Sequence, residues 1–129
     1  MGNFISDFVY SRLQSFRHAF AGWGFVLRTQ RNAWIHALAS VCVILVSLWL
    51  RISLVDWAII LIAITIVWTA EFLNTALEAV ADLASNGKQN RLAKVGKDVG
   101  AAAVLIAALS SILIGILILA PPLIERLGR

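Results

Sequence analysis

Apolar residues in this chain fall into three long runs, with polar residues gathered between them. The first run extends from about Trp34 to Leu50, the second begins at Leu54, and the third extends from Val99 to Leu119 without a charge. A helix needs about 20 mostly apolar residues to cross a bilayer. The pattern therefore predicts three membrane helices, over residues 33–50, 54–84 and 95–120. Pro121 and Pro122 are expected to stop the last, because proline lacks the backbone donor that a helix interior uses. Ahead of these runs, Ile5, Phe8, Val9, Leu13, Phe16 and Phe20 recur at helical spacing, with Arg12, Gln14 and Arg17 on the other side. That spacing predicts an amphipathic helix suited to lying in the membrane interface or packing on the bundle. Gly22 and Gly24 predict a bend after it, so residues 1–30 read as a surface helix and a bend. The expected class is an all-α membrane protein forming a single domain over residues 1–129.

Composition strengthens that class. Of 129 residues, 60% are hydrophobic and only 14% are charged, more apolar surface than a soluble domain of this size can hide. The net charge of +4 does not point to nucleic acid, because the basic residues flank apolar runs instead of forming one soluble face. That arrangement suits lipid headgroups or phosphates. Arg12, Arg17, Arg28 and Arg31 precede the first span, and Lys88, Arg91, Lys94 and Lys97 lie between the second and third, whereas Arg51 alone separates the first two. By the positive-inside rule the N-terminus and the "SNGKQNRLAKVGKD" connection are cytoplasmic, and "RISLVD" and the C-terminus are outside; Arg126 and Arg129 argue mildly the other way. Cys42 stands alone in an apolar run and supports neither a disulfide nor a thiol metal site. Ala103, Ala107, Ser111 and Gly115 form a small-residue ridge that permits close helix approach. Three helices alone shield a polar site poorly, which predicts a homo-oligomer.

The candidate chemistry lies at the end of the second span, in "EFLNTALEAVAD". Glu71, Asn74, Glu78 and Asp82 stand at i, i+3, i+7 and i+11, on one face of one helix. Counting about 1.5 Å per residue from Val55 at the outer surface, Glu71 lies roughly 24 Å down a core about 30 Å thick. Glu78 and Asp82 fall roughly 35 and 40 Å down, at headgroup depth or just past it. A solvated helix tail accounts for Asp82 comfortably. It accounts poorly for Glu71, since an ionisable residue at membrane depth is a functional candidate by default. Lys94, Lys97 and Asp98 open the third span at the depth of Glu78 and Asp82. Carboxylates suited to Mg²⁺ beside ammonium groups match the needs of a phosphate-bearing nucleotide. No glycine-rich phosphate loop and no His/Cys cluster is present, and a reactive group at headgroup depth suits a lipid alcohol.

These residues resemble the prokaryotic diacylglycerol kinase family of small integral membrane lipid kinases. The signature E-x-x-N-[ST]-A-x-E-x-x-x-D, followed by A-K-x-x-K-D-x-x-A-A-A-V, is present as "EFLNTALEAVAD" and "AKVGKDVGAAAV", and "SFRHAFAG" and "RTQRNAWIH" are similar to further family segments. The resemblance implies a homotrimer in a bacterial cell membrane, with three membrane helices and an amphipathic surface helix per subunit. It implies transfer of the γ-phosphate of MgATP to a lipid hydroxyl in sites shared between subunits. Carried over, Glu71 resembles the catalytic base and Asn74 the polar residue supporting it. Glu78 resembles a Mg²⁺ ligand, and Asp82, Lys94, Lys97 and Asp98 fall at nucleotide-site positions. The family's second metal-binding glutamate is replaced here by Gln30, whose amide oxygen can coordinate Mg²⁺ but brings no charge. Diacylglycerol and undecaprenol are both open as substrates, and "SFRHA", "RTQRN" and the C-terminal "LAPPL" look more like the undecaprenol branch. The competing class is a non-catalytic oligomer, an ion or proton conduit or a scaffold. A conduit needs polar residues through the full membrane depth, and the first and third spans offer little beyond Ser40, Ser47, Ser110 and Ser111.

Overall fold

A computed structural model describes residues 2–128, with the side chains of residues 6–128. Ile5 and Arg129, used in the arguments above, fall outside those side chains. The described residues are helical with no strand: α1 (Gly2–Thr29), α2 (Arg31–Leu50), α3 (Leu54–Ser85) and α4 (Arg91–Leu127). Three of them, α2, α3 and α4, are long and apolar enough to cross a membrane. The chain divides into two units, Met1–Arg31 and Asn32–Arg129.

The first unit is one helix and its end. α1 runs unbroken through Gly22 and Gly24, and the helical run is interrupted only at Gln30, whose N–H donates to the Val26 carbonyl at 2.9 Å. The expected bend is thus absent as a break. A glycine costs about 1 kcal/mol against alanine in a helix interior, which weakens a helix without ending it. Phe8, Leu13, Phe16 and Phe20 are exposed on α1, and the Arg12 guanidinium lies 5.1 Å from the centre of the Phe8 ring.

In the second unit, each connection is written in local chemistry. α2 ends with Arg51 in the left-handed region (φ 54°); the Arg51 N–H reaches the Leu48 carbonyl and the Ile52 N–H reaches that of Ser47. That is a Schellman ending, with arginine where glycine is usual. Two residues later Ser53 opens α3 with a capping box: its hydroxyl accepts from the Asp56 N–H (3.2 Å) while the Asp56 carboxylate accepts from the Ser53 N–H (3.3 Å). At the other end Asn86 (φ 50°) and Gly87 (φ 70°) turn the chain, and Asn90 Oδ1 caps α4 by accepting from Leu92 and Ala93.

The short connection folds α4 back along α3, the main helix–helix packing of this unit. Ile60, Ala63, Val67, Glu71, Asn74 and Thr75 are buried on α3, against Gly100, Val104 and Ala107 buried on α4. Small residues permit the approach, and the Ser111 hydroxyl donates to the Ala63 carbonyl at 3.1 Å. Ala107 and Ser111 of the small-residue ridge are thus spent on packing within the chain, whereas Ala103 is exposed. α4 continues to Leu127 through Pro121 and Pro122, past the expected stop. Proline in a helix interior costs about 3 kcal/mol, and the turn beyond it is anchored. Arg126 donates to the Trp49 carbonyl at 2.9 Å and lies 4.8 Å from the centre of the Trp49 ring. An apolar groove of about 530 Å³ runs between α2, α3 and α4, from His36 at one end to Leu123 at the other. Most large apolar side chains, among them Leu45, Ile62, Ile66, Leu105 and Leu113, remain exposed, as suits a lipid solvent.

Candidate active site

α3 is 32 residues long, about 48 Å, so it overshoots a hydrocarbon core of about 30 Å by several turns. Burial falls steadily along the face predicted to carry chemistry. Glu71 is 1% exposed and Asn74 7%; Glu78 is half-buried, and the Asp82 side chain is 62% exposed. The steps follow from packing, since Glu71 and Asn74 are buried on α3, which packs on α4, and Asp82 lies close to the turn that joins the two helices.

At the buried end, Glu71 Oε2 faces His36 Nε2 of α2 at 3.8 Å. That is an ion-pair distance and too long for a hydrogen bond. Both atoms are buried with no hydrogen-bond partner, and so is Asn74 Oδ1. Buried polar atoms are ordinarily paired, because leaving one unpaired costs about 1–3 kcal/mol, so three together make this stretch the candidate for binding or chemistry. Asn74 Nδ2 donates to Glu78 Oε1 at 3.2 Å, which ties the middle of the face together. Gly100 of α4 makes room for that amide. A Cβ placed on it would collide with Asn74 Oδ1 and lie 3.4 Å from Asn74 Cγ. The Thr75 hydroxyl donates back to the Glu71 carbonyl at 2.9 Å.

At the exposed end Lys97 donates to Asp82. Lys94 and Asp98 lie exposed within one turn of Lys97. The structure therefore brings together Glu71, Asn74 and Glu78 in one stretch and Asp82 with Lys97 in another; Gln30 belongs to the first unit. Among the described residues no group of three or more His, Cys, Asp or Glu side chains could hold a metal ion. Glu78 offers a hard carboxylate oxygen that suits Mg²⁺ arriving on phosphates, since Mg²⁺ is often held by one or two carboxylates plus substrate oxygens. His36, Ser40 and Trp68 are absent from the sequence-derived site. The Trp68 indole N–H donates to Ser40 Oγ at 3.2 Å, and the Ser40 hydroxyl donates to the His36 carbonyl at 2.7 Å. Periodicity within one helix could not find a pair that spans two; the available signal was an imidazole inside an apolar run.

The sequence model of the prokaryotic diacylglycerol kinases matches residues 17–119, a stretch that includes all of this face. The chain belongs to that family. The prokaryotic diacylglycerol kinase family also supplies named relatives. A diacylglycerol kinase of Synechocystis sp. is 40% identical over 113 residues, 88% of this chain and 65% of its own length. The undecaprenol kinase of Bacillus subtilis is 39% identical over 110 residues, 85% of this chain and 89% of its own. The diacylglycerol kinase of Escherichia coli K12 is 28% identical over 97 residues, 70% and 79% of the two chains. This is a family of lipid kinases, and the chain spans about two thirds of the Synechocystis protein.

Proposed function

We propose that this chain is a lipid kinase that transfers the γ-phosphate of MgATP to the hydroxyl of a membrane lipid alcohol, diacylglycerol or undecaprenol, at the cytoplasmic interface. The observation that carries the reading is the burial gradient along α3. One helical face runs from a carboxylate at 1% exposure to an exposed Asp82–Lys97 pair, so it offers a base inside the apolar core, within reach of a lipid headgroup, and charged groups within reach of a cytosolic nucleotide. In this reading Glu71 accepts the hydroxyl proton, and Asn74 supports the site from beside Glu78. Glu78 would hold the Mg²⁺ borne by the nucleotide phosphates, with Gln30 a further candidate oxygen donor. Lys97 and Lys94 offset phosphate charge, and Asp82 and Asp98 complete the nucleotide site. The lipid chain lies along the apolar groove, which ends at His36 beside Glu71.

The N-terminus and the α3–α4 connection face the cytoplasm of a bacterial cell, and the α2–α3 turn faces outward. Arg126, which counts against that orientation, has a local partner in the Trp49 carbonyl at the α2 C-terminus. α1 serves as a surface helix. A homotrimer with shared sites would cover the apolar faces that remain exposed on one copy. The test is transfer of labelled γ-phosphate from ATP to lipid by purified protein in mixed micelles, with diacylglycerol and undecaprenol supplied separately. The expected result is lipid-dependent ATP consumption with one or both alcohols; none with either would sink the reading.

A further inference from the structure

We propose that His36 is a positioning residue for Glu71: its imidazole, as the Nε2–H tautomer, holds Glu71 Oε2 and leaves Oε1 for the lipid hydroxyl. The role rests on the kinase reading above. The two residues are far apart in sequence and on different helices, yet their open polar atoms face each other at 3.8 Å inside the protein, each without another hydrogen-bond partner. Hydrogen bonds in catalytic sites are often long before substrate is bound and tighten in the complex.

A second cross-link keeps the two helices in register. Ser40 lies one turn beyond His36 on α2, and Trp68 lies one turn before Glu71 on α3. The indole N–H on Ser40 Oγ, and the Ser40 hydroxyl on the His36 carbonyl, therefore fix the α2 backbone against α3 at the level of the carboxylate. Trp68 is steadied by Phe72, with ring centres 6.0 Å apart. On its own helix, Thr75 bonds to the Glu71 backbone carbonyl and Asn74 bonds to Glu78, so neither holds Glu71 Oε2.

In the transfer step the lipid O–H bond breaks as its oxygen bonds to the γ-phosphorus, and the proton goes to Glu71 Oε1. The bond from that phosphorus to the bridging oxygen breaks with its electron pair leaving on ADP. His36 keeps its own proton and holds Oε2 throughout; Glu71 later releases the transferred proton to water.

The test compares His36→Leu, His36→Gln, His36→Asn and Ser40→Ala with the unaltered protein, all in mixed micelles with ATP and a lipid alcohol. His36→Leu should lower kcat by about 100-fold, the scale expected when a reacting group is misplaced by about 1 Å, with KM for ATP unchanged. His36→Gln should recover most of that loss, because its amide N–H reaches the place of Nε2, whereas the shorter Asn should not. Ser40→Ala, which loosens the register but keeps the imidazole, should lower thermal stability and lower kcat only part of the way to His36→Leu. The Gln and Asn variants decide the matter even if His36→Leu does not fold. Full kcat in His36→Leu, or equal rates in His36→Gln and His36→Asn, would overturn this role alone. No transfer by the unaltered protein would overturn the kinase reading and this role together.

Discussion

The two ends of the α2–α3–α4 unit treat their polar groups in opposite ways. At the end holding the α2–α3 turn, helix termini are closed by near neighbours: Arg51 and Ile52 bond back into α2, Ser53 and Asp56 cap each other, and Arg126 takes the Trp49 carbonyl. Ser47 Oγ is the exception, a neutral hydroxyl buried without a partner. At the other end of the membrane span, an acid, an imidazole and an amide oxygen are buried together and left open. The first end spends its polar groups on folding. The second leaves them unpaired, and departures of this kind concentrate at functional sites.

The largest expected effect is at the open end. Glu71→Gln preserves size and removes the proposed base, so lipid-dependent transfer should fall by about 10²–10⁴-fold while nucleotide binding, followed by equilibrium titration, persists. Normal turnover in that variant would remove Glu71 from the chemistry, and binding lost together with turnover would make it a structural residue. Gly100→Ala should come next. Its methyl group meets the Asn74 amide, and overpacking of this kind costs about 1–3 kcal/mol, so thermal stability in detergent and transfer should both drop. Unchanged rates would show that Asn74 can move without consequence.

Lys97→Met probes the exposed stretch. Its pair with Asp82 is open to solvent, with 37% and 62% of the two side chains exposed, and such pairs contribute about 0–1 kcal/mol. Melting should therefore scarcely change while KM for ATP rises by about tenfold, the value of one lost charge-assisted contact. A stability loss without a change in KM would reverse that assignment. The smallest effect belongs to the closed end. Arg51→Gly relieves a left-handed residue and should stabilise the fold by about 1 kcal/mol, seen as a higher melting temperature, with kcat unaltered. A fall in kcat there would show that the two ends are coupled.

Much of this was legible in the chain itself. Hydrophobic run length gave the spans, because a bilayer core demands about 20 apolar residues whatever the neighbours are. The spacing of Glu71, Asn74, Glu78 and Asp82 gave the face, because helical periodicity is local. Local signals misled where they were weighed without tertiary support. Pro121 and Pro122 should have ended α4, but the turn beyond them is held by Trp49, a residue of another helix. Gly22 and Gly24 lowered helix propensity without breaking α1.

What only the tertiary structure decided is which groups on that face are open and what they face. Asn74 needs the absent side chain of Gly100, and Glu71 meets His36 across two helices while Trp68 and Ser40 hold the register. Sequence spacing determines which side of a helix a residue occupies. The partner on the other side depends on how helices slide and rotate against each other, and small residues such as Ala63, Gly100 and Ala107 set that only once the chain has packed.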